Sequence, residues 1–184
     1  MRLSKTHKYV ILCEDKLMAC YIRRFLHEQG INGRKISTIA LPANGCGEQY
    51  VRLQFPRYLR GLRSKNFDAN VLIVVIDADG ESGTKRKKQL KDACTASNVA
   101  LWSKDDKLLL FVPKRNIETW IKHFNGDVVD ENDDYAHFLN GHESDCYPAA
   151  KKMSDAFSCS FSCKLPSLQD AYNEYVRVSN LVMN

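Results

Sequence analysis

Apolar positions along this chain follow two rhythms in turn. Lys8-Tyr-Val-Ile-Leu-Cys13 is a short run rich in strand formers, and Glu14-Asp15 follows at once. Leu17, Met18, Tyr21, Ile22, Phe25 and Leu26 then recur at helical spacing, with Asp15 as cap and Gly30 as stop. Ile36 to Leu41 predicts a second strand. Gly45-Cys-Gly47 predicts a flexible turn, and Tyr50, Val51, Leu53, Tyr58, Leu59 and Leu62 predict a helix interrupted or restarted near Pro56. Val71-Leu-Ile-Val-Val-Ile76 is apolar on both faces, as a strand in the middle of a helix-covered parallel sheet must be. A loop and helix are expected over Glu81 to Ser97. A further central strand is expected over Leu108 to Val112, ended by Pro113, and a short helix capped by Asn116 runs to Phe124. A helix near 148–158 and a last one opened by Ser167-Leu-Gln-Asp170, as in a capping box, complete the pattern.

Strands alternating with helices predict an α/β fold: a Rossmann-like, mostly parallel central sheet flanked by helices, with a helical C-terminal extension. At 184 residues the chain suits one domain, read as a core over 1–125 with an acidic loop and helical extension over 126–184 packed on it. The longest apolar run is far short of a membrane span, and the basic N-terminus enters a strand with no small-residue cleavage site, so a cytoplasmic protein without membrane contact is expected. Seven scattered cysteines read as reduced thiols. Cys146, Cys159, Cys163 and His142 match none of the common zinc-ligand spacings.

Charge adds a partner class. The net charge is +5, yet residues 125–145 hold seven acids and no Lys or Arg, which leaves +12 on the rest. A basic body suits either a polyanionic partner or a merely solvated surface.

Open parallel sheets bind ligands beyond the carboxyl ends of their strands. Glu14 follows the first strand, Asp77 and Asp79 follow the apolar one, and Glu118 lies five residues past Pro113. Gathered in one crevice, these carboxylates require a hard cation or raised pKa values. Oxygen donors select Mg²⁺ or Mn²⁺ over zinc. Asp77 and Asp79 can face one ion if extended geometry persists through Ala78, although Asp-x-Asp after a strand is also ordinary turn chemistry.

Cys13-Glu14, Ile-Asp77-Ala-Asp79 and Pro113-Lys-Arg-Asn-Ile-Glu118-Thr-Trp together resemble a Toprim domain of the small stand-alone kind, nearest to the OLD-like nucleases associated with phage defence. The resemblance covers roughly residues 7–125. It implies a Toprim fold in which Glu14, Asp77 and Asp79 bind Mg²⁺ or Mn²⁺ for phosphodiester cleavage, Glu14 alternatively serving as general acid or base and Glu118 as a further acid. The chain departs from the family pattern at Asp15, where many members have Gly, and at Met18, where OLD-type enzymes place a further acid for a second metal. One bound ion is therefore expected.

Nucleic acid, DNA or RNA, would need cations beside these acids. The candidates are Arg57, Arg60 and Arg63 on one helix face, Lys85 and Arg86 just after Asp79, and Lys114 and Arg115 just before Glu118, with Arg52 and Lys65 in the same basic stretch. Lys85 to Lys88 reads equally as a solvated first turn, and Trp120 and Ile121 read as helix core. The resemblance also implies partners, an ATPase or another defence-system protein, or a homo-oligomer. Two other readings stay open. One is a non-catalytic Toprim-like subunit of a larger ATPase complex. The other is a receiver-like phosphoacceptor domain, with Glu14-Asp15, Asp77 and Lys114 in the acceptor roles. A topoisomerase or primase would need additional domains.

Overall fold

The computed structural model describes residues 2–40, 47–64, 70–136, 139 and 142–183. The expected turn at Gly45-Cys46, the end of the second predicted strand at Leu41, and Lys65 lie outside them. Four strands, β1 (Tyr9–Leu12), β2 (Ile36–Thr38), β3 (Val71–Val75) and β4 (Leu108–Phe111), form one sheet in the order β2-β1-β3-β4. Every pairing is parallel, with Tyr9 opposite Ile36 and Val71, and Leu72 opposite Leu108. This is an α/β fold of the Rossmann-like type, as the alternation predicts.

Among the described residues, six α-helices flank the sheet: α1 (Lys16–Glu28), α2 (Gly47–Leu62), α3 (Gly83–Ala96), α4 (Ile117–Asn125), α5 (Tyr147–Ser158) and α6 (Pro166–Met183). Strand alternation sends Tyr9, Ile11, Ile73, Val75, Leu109 and Phe111 into one core with side chains of α1, α4, α5 and α6. Leu12, Leu72, Val74, Leu108 and Leu110 enter a second core with α2 and α3. The chain therefore winds one way from β1 to β2 and the other from β3 to β4. The reversal leaves a crevice between the carboxyl ends of β1 and β3, the switch point where such sheets take ligands.

Several local expectations are revised. The α2 helix runs unbroken through Pro56, which is buried along with Val51, Phe55 and Leu59 of the same helix. Burial against the sheet outweighs the backbone hydrogen bond that proline removes. Leu108–Phe111 is an edge strand, not a central one. It is wholly apolar because α6 covers it: Arg177 donates to the carbonyls of Lys104 (2.6 Å), Asp106 (2.9 Å) and Leu108 (2.6 Å). Ser167 does not open the last helix, which begins one residue earlier. Its N–H and Oγ instead donate to the buried carboxylate of Glu131, and Trp120 Nε1 donates to Ser167 Oγ at 3.0 Å. A carboxylate from a distant loop thus takes up the free Ser167 amide at the start of α6. No described helix is long and apolar enough to cross a membrane.

Candidate active site at the β1/β3 crevice

Glu14 leaves the end of β1 one residue before the N-cap of α1. Asp15 is that cap, its Oδ1 accepting from the Met18 N–H at 2.8 Å. Asp15 is thereby committed to the helix, and Glu14 is free to turn across the sheet. Its Oε1 accepts from the backbone N–H of Asp77 at 2.7 Å, joining the ends of β1 and β3. Gly47 at the start of α2 closes the other side. A Cβ there would lie 2.6 Å from the Glu14 carbonyl oxygen and 2.8 Å from its Cβ, so only glycine fits.

Beyond β3 the ladder to the next strand persists: Ile76 donates to Phe111, Ala78 to Pro113 and Gly80 to Lys114. Asp77 continues the alternation of Ile73 and Val75, which puts it on the α1/α4 side. Its Oδ1 is sealed from solvent and accepts no hydrogen bond from any described residue. Burial, followed by the repulsion of Glu14, Asp15, Glu118 and Asp79, holds its carboxyl well above the usual carboxylate range. Burial likewise pushes Glu14 up to about 7, opposed in part by the Asp77 N–H. Glu118 occupies the first turn of α4, close enough to add to the field on Asp77.

Asp79 departs from expectation. Its φ of +51° turns the backbone left-handed, so the extended geometry that would aim it beside Asp77 ends at Ala78. Its Oδ2 accepts from Arg86 Nη2 at 2.6 Å, and its side chain stays 63% exposed. Among the described residues no three His, Cys, Asp or Glu side chains stand close enough to enclose one ion. Glu14 and Asp77 nevertheless suit a hard divalent cation: both donors are oxygen, and Asp77 Oδ1 is buried without a partner.

The basic residues divide. Arg86, expected at a phosphate surface, is buried and bridges Asp79 to Glu48 on α2. Arg63 is held by Asp106 (2.9 and 2.7 Å) and by the carbonyls of Ala100 and Leu101. Arg60 donates to Ser97 O. Because α2 runs back along the sheet from the crevice, its C-terminal half, with Arg60 and Arg63, lies at the opposite edge; Arg57 packs over the Tyr58 ring. Lys85 pairs with Glu81 on the surface. Lys114 donates to Asn132 Oδ1 and lines a hollow of about 230 Å³ between the starts of α3 and α6. Arg115 stands over Gly80, just past the Asp77–Asp79 turn, with Asp134 at a loose 3.5 Å.

Glu48 escaped the sequence reading, since only the packing of α2 against α3 brings it to Arg86. Burial raises the Cys13 thiol, next to Glu14, to about 12, which removes it as a nucleophile. Comparison with protein families, characterised proteins and solved structures returns no match.

Proposed function

We propose that this chain is a metal-dependent nuclease that hydrolyses phosphodiester bonds in nucleic acid, with Mg²⁺ or Mn²⁺ held by Glu14 and Asp77 and with Asp79 at the rim. The observation that carries this reading is the unpartnered, buried Asp77 Oδ1 beside Glu14 at the switch point. A fold does not retain two apposed carboxylates with raised pKa values for stability, which they lower. When bound, such a cation neutralises charge on the phosphate and acidifies water. Alternatively Glu14 leaves the cation to Asp77 and Asp79 and, with its carboxyl pushed up to about 7 by burial, accepts a proton from the attacking water or returns one to the leaving oxygen. Arg115, over Gly80, carries a neighbouring phosphate, and Lys114 extends the track toward the hollow. Glu118 adds negative field from α4.

The Toprim resemblance agrees with this placement of Glu14 and Asp77, and the setting it implies, an effector of a bacterial anti-phage or mobile-element system, rests on it alone. A phosphoacceptor role is less well supported, because Asp15 is committed as a helix cap. The test is cleavage of DNA and RNA by the pure protein with Mg²⁺ or Mn²⁺. Asp77→Asn should reduce the rate by roughly a hundredfold or more. Cleavage that survives both Asp77→Asn and Glu14→Gln would overturn the proposal. Inactivity relieved only by a partner ATPase would favour the subunit reading.

A further inference from the structure

Among the described residues Arg86 is the only cationic residue almost wholly buried, at 5% exposure. Its Nη2 donates to Asp79, and its Nη1 to Glu48 and to Gln89 Oε1 at 2.9 Å, while Nε makes no hydrogen bond. A buried guanidinium is costly unless paired, and this one has two carboxylate partners, one of which, Glu48, also pairs with Arg52 Nε at 2.6 Å. The two pairings are unequal. Glu48 is largely buried, whereas Asp79 is mostly exposed and reaches inward from a left-handed turn. Losing Asp79 would leave Arg86 still paired; losing Glu48 would leave Asp79 as its sole carboxylate.

Resting on the metal-dependent reading above, we propose that Arg86 is a positioning residue that competes with the divalent cation for Asp79. The left-handed turn sends Asp79 out of the crevice and the guanidinium holds it there, while Glu48, shared with Arg52, keeps Arg86 paired when Asp79 departs. Arg86 thereby sets the cation concentration at which Asp79 joins Glu14 and Asp77.

The test is Mn²⁺ binding to the full-length chain, followed by electron paramagnetic resonance and by the Mn²⁺-induced rise in Tm, with no substrate present. Arg86→Gln frees Asp79 and removes a fixed positive charge whose field reaches Glu14, so Mn²⁺ should bind roughly tenfold or more tightly. Arg86→Lys should fall between this variant and the wild type. Glu48→Gln should weaken binding several-fold, because Arg86 then holds Asp79 alone. A purely structural Arg86 predicts instead that both changes lower Tm and leave the Mn²⁺ affinity of the folded fraction unchanged. That result, or weaker binding by Arg86→Gln, overturns the proposal. If Arg86→Gln does not fold, Glu48→Gln decides, and unchanged or tighter binding there overturns it equally. Absence of Mn²⁺ binding by the wild type would remove the metal-dependent reading itself, an outcome distinct from equal affinities across the series.

Discussion

Replacing Glu14 by Gln should make this protein more stable at pH 8 and leave it nearly unchanged at pH 5. Glutamine keeps the oxygen that accepts from the Asp77 N–H and removes a titrating carboxyl from a crevice that disfavours its charge. The sign follows from linkage. A carboxyl raised from the usual range to about 7 stays protonated in the folded state, where the unfolded chain has already lost its proton. Folding stability therefore falls as pH rises between about 4.5 and 7, then levels off. Full expression of the shift corresponds to roughly 3 kcal/mol, and partial solvent access to Glu14 reduces this to about 1–3 kcal/mol. For a chain of this length that is about 2–10 °C in Tm at pH 8. Asp77 adds a slope of the same sign, which Glu14→Gln lessens by removing a repelling neighbour. The assay is thermal or urea denaturation from pH 5 to 9 with chelator present. A Glu14→Gln protein equal to or less stable than wild type at pH 8, or a difference independent of pH, would refute the reasoning.

Gly47→Ala should lower stability by about 1–3 kcal/mol and the cleavage rate with it, because the new Cβ meets Glu14 backbone at 2.6 Å; calorimetry and single-turnover kinetics would check this. Glu131→Ala should lower Tm by roughly 2–8 °C, since the Ser167 N–H and Oγ lose a buried acceptor, while Mn²⁺ affinity stays unchanged. Arg115→Ala should weaken nucleic-acid binding and flatten its log–log salt dependence by roughly one. Arg63→Ala should leave that slope alone and cost about 1–2 kcal/mol in denaturant titration, because Asp106 and two carbonyls already occupy its donors.

Much of the fold is legible in the chain because the governing signals are local. The unbroken apolar run from Val71 forces a strand covered on both faces, and Asp15 with the spacing of Met18 to Leu26 marks a capped amphipathic helix. The sequence misleads where long-range packing overrides a local signal: Pro56 inside α2, Ser167 capped by Glu131, and an apolar edge strand shielded by Arg177. At the site, Glu14 and Asp77 were legible because a strand end fixes where the next side chain goes. Asp79 was not, since a single left-handed φ redirects it, and strand periodicity carries no sign of that turn. Arg86 and Glu48 lie 38 residues apart on two helices, so neither hints at the other until those helices pack. A basic count also cannot separate phosphate-facing cations from committed ones such as Arg63.

On the proposed reading, Glu14 and Asp77 hold a divalent cation at the crevice between β1 and β3. Anomalous scattering from crystals soaked in Mn²⁺ tests it most directly. The expected result is a peak between the Glu14 and Asp77 carboxylates, with bonds of about 2.0–2.3 Å, that vanishes in Asp77→Asn. A peak elsewhere, or none at millimolar Mn²⁺, would contradict it.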